Sequence, residues 1–298
     1  METSVGASPG RRWRALTRGV HVLGAPEERL ELLRAWQHAL PDGAAFSHLT
    51  AAWVHGWWLP PLPRGLPVFA AVQRDHQVRR PGVRCSRHTE PLESATIAGL
   101  RVTTPRETLL TCASDLDVLD LVVLADGALE CGVPPTALDI SGVRRRRGLP
   151  ALRQALALAH PRSESAWESV LRLLHHAAEV PVEPQHEIRD DRGEFVARAD
   201  LWIVGTRTLQ EYDGGVHRRP DQHRADLTRD RALARAGWRR NGYTAREVTR
   251  RPATVIADAD EALGRAWDPM RLDSWERMLA ASLFSPRAEW SAVGRLVR

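Results

Sequence analysis

The chain of 298 residues contains no lysine; all 42 of its basic residues are arginine. That absence excludes a P-loop lysine, a Schiff-base lysine and a ligase-type nucleophilic lysine. A GC-rich genome produces such an arginine bias without any functional reason. Cysteine is scarce too. Cys85, Cys112 and Cys131 form no CxxC pair and are odd in number, so neither a disulfide framework nor a thiolate zinc site is expected, and a reducing, cytoplasmic compartment suits the chain. No apolar run reaches the length of a membrane span, and no charged start leads into an apolar secretory core, so no membrane partner is expected.

What is present suits a soluble globular protein: 43% hydrophobic and 27% charged residues, in a length sufficient for two modest cores. A sequence pI of 9.9 with net charge +5 permits binding to a polyanion. The charge is unevenly spread. From His217 to Arg251, eleven arginines stand against Asp221, Asp226, Asp230 and Glu247, a net of +7 that leaves −2 for the rest. Basic charge focused in one stretch can steer phosphates. An exposed arginine-rich helix that binds nothing carries the same signature.

Immediately before that stretch, Arg198 to His217 reads as two short strands joined at Gly205-Thr206, a Gly-X pair suited to a two-residue type II′ turn. With that turn, Val204 faces Arg207 and Asp200 faces Glu211. Asp213 falls on the face of Glu211, roughly 7 Å further along. Opposed residues stand roughly 5 Å apart at Cβ, where like charges repel. Three crowded carboxylates call for a cation, and hard oxygen ligands suit Mg²⁺ or Mn²⁺. A solvated acidic hairpin in a slipped register is the bland alternative.

Along the chain, residues 1–10 read as a disordered start, and Arg11 to Leu23 as a basic strand-turn-strand like the wing of a winged helix. Too few residues precede it for a helix-turn-helix. Helices are expected over Glu27–Leu40 and Leu49–Trp57, with Trp53, Trp57 and Trp58 as core or interface aromatics. His48 and His55, seven apart, are a weak metal signal. Strands follow over Val68–Val72, Val83–His88 and Ile97–Val102, then helices from Thr104-Pro105 and over Leu116–Leu129. Arg144 to Arg147 is a run of four arginines, read as a solvated loop or a nucleic-acid contact. After a helix at Ala151–Ala159, a boundary is placed near Pro161.

Ser163–Ala178 is an amphipathic helix with Trp167, Val170, Leu171 and Leu174 on its apolar face. Ser165 to Glu168 fits a capping box, so Glu168 is either a cap or a metal ligand. Strands at Gln185–Ile188 and Val196–Val204 flank a turn at Asp190–Gly193. Pro220 opens a helix over Asp221–Ala236, stopped at Gly237, in which Asp226, Arg229 and Asp230 are spaced to pair with one another. A short strand within Trp238–Val248 and a C-terminal helix or tail beyond Asp268 complete the chain.

Glu168, Ala199-Asp200-Leu201, Glu211-Tyr212-Asp213-Gly214 with His217, Asp226, Arg229-Asp230, Leu233 and Gly237-Trp238 together resemble a Vsr-like nuclease domain. Vsr is the very-short-patch-repair endonuclease, in the PD-(D/E)xK restriction-endonuclease superfamily. The resemblance covers roughly residues 161–256. The preceding half is similar to AbiEi-like antitoxins of actinobacteria, carried by Arg18-Gly19-Val20, Ser47 to Ala52 with Gly56, and Gly99 to Pro105 with Thr108-Leu109-Leu110.

These resemblances imply an α/β fold: a restriction-endonuclease-like mixed sheet flanked by helices at 161–256, after a smaller α+β region at 1–160 with a winged-helix-like remnant, and before a helical tail at 257–298. They imply Asp200 and Glu211 as metal ligands and Glu168 as an outer ligand or water-orienting group. The superfamily's lysine corresponds here to Asp213. That departure leaves water activation to His217, near its unperturbed pKa of about 6.5, with Asp213 as metal ligand or orienting partner. His217 as a backbone-bonded loop residue is the alternative. Arg218, Arg219, Arg224, Arg239 and Arg240 would grip a nucleic-acid backbone, and Tyr212 would be core.

The leading expectation is a Mg²⁺- or Mn²⁺-dependent endonuclease acting on DNA. Against it stands a non-catalytic, antitoxin-like DNA-binding regulator on a degenerate nuclease fold. A third expectation is an interaction module built on the tryptophan-rich N-terminal half, binding a cognate toxin or another protein.

Overall fold

The computed structural model describes residues 1–24, 28–214, 220–286 and 292–297, with 220–227, 292, 293 and 297 described by backbone only. The architecture is mixed α/β with three sheets. Strands β1 (Glu2–Val5), β2 (Arg14–Thr17) and β3 (Val20–Leu23) form an antiparallel sheet in the order β1-β3-β2. The start expected to be disordered is therefore a strand, with Val5 paired to Val20 and Thr3 to Val22. Its polar residues show no alternation; it is held by the free edge of β3, whose Val20 and Val22 are buried.

Helix α1 (Arg29–Gln37), strand β4 (Ala45–Phe46), helix α2 (His48–Val54) and strands β5 (Val68–Gln73) and β6 (Val83–His88) come next. The expected strand at Ile97–Val102 is instead a hairpin, β7 (Ser94–Ile97) and β8 (Leu100–Thr103). Ala98 and Gly99 both have positive φ, +50° and +79°, and Ile97 pairs with Leu100. A two-residue turn with both central residues at positive φ matches strand twist, so the chain reverses there. The five strands run β6-β5-β4-β8-β7, with β5–β6 and β4–β8 parallel. Helices α3 (Pro105–Cys112), α4 (Val118–Glu130) and α5 (Leu149–Leu158) follow.

The third sheet is built from helix α6 (Ala166–Ala177), strands β9 (Val182–Arg189), β10 (Phe195–Ile203) and β11 (Thr208–Tyr212), helix α7 (Pro220–Arg235) and strand β12 (Arg239–Tyr243). Its order is β12-β11-β10-β9, antiparallel except for the β11–β12 pair across α7. The stretch expected as strand and turn up to Val248 becomes helix α8 (Ala245–Arg250) after β12. Thr244 and Glu247 form a full capping box there, a Thr-x-x-Glu signal that outweighs the strand pattern. Helices α9 (Pro252–Leu263), α10 (Asp273–Ala281) and α11 (Ala292–Val297) complete the order. Among the described residues no helix is long and apolar enough to cross a membrane.

One apolar cluster draws on Leu121 and Leu124 of α4, Val170 and Leu174 of α6, Leu201 and Ile203 of β10, and Trp275 of α10. The polar tie inside it is Asp126. Fully buried on α4, it accepts hydrogen bonds from Ser169 Oγ at 2.6 Å, His160 N at 2.7 Å, Arg172 Nη2 at 2.8 Å and Ser163 Oγ at 3.2 Å. Four donors on one carboxylate make burial of its charge tolerable, and removing it strands the Arg172 cation. Asp126→Ala is expected to cost about 3–5 kcal/mol. Urea denaturation checks this, and a midpoint unchanged from wild type would contradict the role assigned to Asp126.

Candidate functional site

The register of β10 and β11 carries the site. Leu201 pairs with Gln210 and Trp202 with Leu209, so one step further Asp200 stands across from Glu211, as the sequence predicts. The turn differs. Thr206 N bonds to Ile203 O, and Gly205 is the third residue of that turn at φ +83°. Type II′ needs positive φ at the second residue instead, so the strands are joined by a wider loop that preserves the same pairing. On the other side, Ala199 pairs with His186 and Leu201 with Pro184, which puts Gln185 level with Asp200. Glu211 in turn pairs with Gly242 of β12. Gln185, Asp200, Glu211 and Gly242 thus form one row across four strands.

Glu168 reaches this row from the first turn of α6. Ser165 Oγ caps the helix by accepting from Glu168 N at 3.2 Å. The Glu168 carboxylate accepts from Glu164 N at 2.8 Å, one residue ahead of the cap, and from Gln185 Nε2 at 2.9 Å. Of the two expected roles of Glu168, these contacts show the one at the helix start, and its carboxylate also adds charge beside the row. Burial raises its pKa. Gln185 holds this contact at φ +54°, a backbone state that a non-glycine residue adopts at a cost.

The two opposed carboxylates differ sharply in their surroundings. Glu211 is buried and clamped by Arg229, whose Nη2 and Nη1 lie 2.6 and 3.2 Å from its oxygens, and by Arg240 Nη1 at 2.9 Å. Among the described residues Asp200 accepts one hydrogen bond, from Tyr212 N at 2.9 Å. Burial, then the charge of Glu168 and that of Glu211, push its pKa up to about 7. The site thus holds a compensated carboxylate beside one that retains a proton near neutral pH.

The other expected site residues are placed as follows. Asp213 N bonds to Tyr243 O, and its carboxylate lies beside Gly242 and within electrostatic reach of Glu247. The charges acting on Asp200 include Glu168, Glu211 and Arg229. Arg240, expected on a nucleic-acid backbone, pairs within the chain with Glu211 and with Asp230 at 2.8 Å. Arg239 is exposed beside Glu261. Asp230 and Arg229, expected to pair along α7, look across to β12 and β11. Tyr212 stacks on Trp167 at 5.3 Å, as a core residue should. His217, Arg218 and Arg219 lie outside the described residues, as do the side chains of Arg224 and Asp226. His48 and His55 do not converge: His55 Nε2 meets Thr103 O at 2.9 Å, and His48 stacks on Phe69.

Among the described residues, no group of three His, Cys, Asp or Glu side chains is set to hold a metal ion. Sequence reasoning missed Gln185 and the Arg229–Glu211–Arg240 clamp. Arginine is frequent throughout this stretch, and only the fold shows that Arg229 and Arg240 turn to Glu211. Beside Gln185 a cleft of about 680 Å³ opens between the start of α6 and β9, with Arg162 and Arg198 on its rim. Arg198 pairs there with Glu164 at 2.7 Å.

No protein-family model matches the chain. It is 30% identical over 176 residues to two uncharacterized proteins of Mycobacterium tuberculosis, MT2308 of strain CDC 1551 / Oshkosh and Rv2248 of strain ATCC 25618 / H37Rv. The match covers 57% of this chain and spans 64% of the length of those relatives. No solved structure matches it significantly.

The raised pKa of Asp200 has a consequence for stability. Its proton is held in the fold up to about pH 7 but leaves the unfolded chain near 3.9. Stability from this group is therefore complete below pH 4 and falls as pH rises to 7. Asn keeps an acceptor for Tyr212 N and has no charge to bury. Asp200→Asn should therefore match wild type near pH 4 and exceed it by about 4 kcal/mol at pH 8. Denaturant melts at the two pH values measure the difference, and equal gains at both would refute the assignment.

Proposed function

We propose that residues 161–256 are a Vsr-like nuclease domain of the PD-(D/E)xK kind, a metal-dependent DNA endonuclease hydrolysing phosphodiester bonds. The observation that carries this reading is the Asp200–Glu211 cross-strand pair with Glu168 beside it. The element order supports it: a helix, three antiparallel strands, a helix, and a strand parallel to the third. So does the concentration of arginine in and after α7.

The carboxylates fit a hard divalent ion, since Asp200 and Glu168 crowd each other and no ion pair among the described residues engages either. These two would hold Mg²⁺ or Mn²⁺, and Glu211 would join them by exchanging Arg229 or Arg240. When bound, the ion supplies Lewis acidity and lowers the pKa of a bound water. The chain's residues do the rest. Asp200 and Glu168, facing that ion, would be held in their ionised form, so proton transfer falls to another group. Arg229 and Arg240, on leaving Glu211, can meet phosphate oxygens in bidentate fashion. His217 remains the proposed proton carrier in place of the superfamily's lysine, and Arg218, Arg219 and Arg224 the proposed grip on the backbone.

A second reading is a non-catalytic, AbiEi-antitoxin-like DNA-binding regulator, whose N-terminal half would also receive a protein partner. The clamp on Glu211 favours it, because two arginines there satisfy the carboxylate without a metal. Incubation of the full chain with supercoiled plasmid in Mg²⁺, Mn²⁺ or EDTA separates the two. The nuclease reading expects metal-dependent nicking that falls by about 100-fold or more in Asp200→Ala and Glu211→Ala. Salt-sensitive DNA binding by folded protein without nicking in any metal would hand the case to the regulator.

A further inference from the structure

Far from the carboxylate row, a cleft of about 540 Å³ lies between β6, α3 and the arginine run that precedes α5. On its floor is His48, 4% exposed, with its ring stacked 4.4 Å from Phe69. Neither ring nitrogen makes a hydrogen bond; Nε2 only approaches Asp115 Oδ2, at 3.4 Å. That carboxylate is already engaged by Arg84 at 2.9 Å and Ser114 Oγ at 2.8 Å. His48 also sits at φ +53°, fixed by its own N–H bonded to Thr111 Oγ1 at 3.0 Å. A strained backbone thus presents to the cleft a buried ring whose one polar neighbour, Asp115, stands at the edge of hydrogen-bond range and is shared with Arg84.

The mouth of the cleft is arginine. Of the run Arg144 to Arg147, Arg146 is turned to Glu107, at 2.7 Å. Arg144, Arg145 and Arg147 line the cleft with exposed side chains, and no hydrogen bond or ion pair engages them among the described residues. Arg87 does the same from β6. Arg145 is a second non-glycine residue at positive φ, +54°. Two of the positive-φ residues of this chain thus line a single cleft. The four rim guanidiniums outnumber the one acidic side chain there that Arg84 does not already neutralise, Glu90.

We propose that this cleft binds a phosphate monoester, with the phosphate held by the rim guanidiniums and a terminal oxygen meeting the His48 ring. Guanidinium grips phosphate in a planar, bidentate way, which explains the rim. The floor sets the class. A terminal phosphate is narrow enough to reach a nine-tenths buried ring, whereas the diester backbone of a duplex would meet the rim alone. The same terminal group occurs on a free nucleotide and on the 5′ end of a nucleic-acid strand. This inference is independent of the nuclease reading, since none of its residues belongs to the Asp200 row.

The test is calorimetry and thermal shift on the full chain with inorganic phosphate, adenosine monophosphate and adenosine. A short single strand with or without a 5′ phosphate is titrated in parallel. Phosphate and the monophosphate are expected to bind and stabilise, and adenosine to do neither. A monophosphate preferred over the phosphorylated strand identifies the free nucleotide, and the reverse identifies the strand end. His48→Asn, which tolerates the positive φ, should weaken monophosphate binding about tenfold or more. Arg145→Ala, on an exposed loop that leaves the core intact, should weaken it severalfold, and Asp200→Ala should leave it unchanged. No binding of phosphate or monophosphate, or binding indifferent to His48→Asn and Arg145→Ala, overturns the proposal. Equal affinity for the strand without its 5′ phosphate overturns it as well.

Discussion

A fully buried carboxylate on α4, Asp126, gathers a main-chain N–H from His160, two hydroxyls and a guanidinium from the segment that leads into and forms α6. Because a lone ion in an apolar core is strongly disfavoured, these donors must arrive together or not at all. That requirement fixes where α6 begins, and with it Ser165 and Glu168. The helix in turn packs Val170 and Leu174 into the cluster shared with β10. The position of Glu168 beside Asp200 is thus a downstream result of satisfying one charge elsewhere.

Charge compensation also organises the carboxylate row, but unequally. Glu211 has two guanidiniums and Asp200 has one main-chain N–H. The chain could have paired an arginine with each carboxylate. Instead both cations converge on Glu211 of β11, and the imbalance leaves a protonatable group next to Glu168. Gln185 extends the row with a neutral amide and spends its donor on Glu168, which keeps two carboxylates close without joining them.

Much of this was legible in the sequence, for local reasons. The pairing of Asp200 with Glu211 follows from alternation along β10 and from the position of Gly205, and a four-residue loop preserves the register of a two-residue one. The helices α3, α4, α6 and α7 declare themselves by proline starts, glycine stops and apolar faces. What was not legible is long-range. Strand β1 exists because β3 offers an edge, not because Glu2 to Val5 look like a strand. Arginine partners are set by tertiary reach: Arg229 and Asp230 sit side by side on α7, yet serve different strands. His48 offered a weak metal signal in the sequence, and the fold stacks its ring on Phe69 beside Asp115, on a strained backbone.

The five-stranded sheet has an uneven build. Its outer pairs, β6 with β5 and β8 with β7, are linked through β4, which is two residues long. Ala45 and Phe46 bond to Ala71 and Ala70 on one side, and Phe46 to Val102 on the other. In mechanical terms the sheet is two stiff plates on a narrow hinge pin. The β5–β6 plate bears Phe69, Arg84 and Arg87, whereas His48 and Thr111 ride on helices at the pin. His48 follows that two-residue joint directly and Arg87 lies on the β5–β6 plate, so a ligand spanning the cleft would tie the joint to the plate.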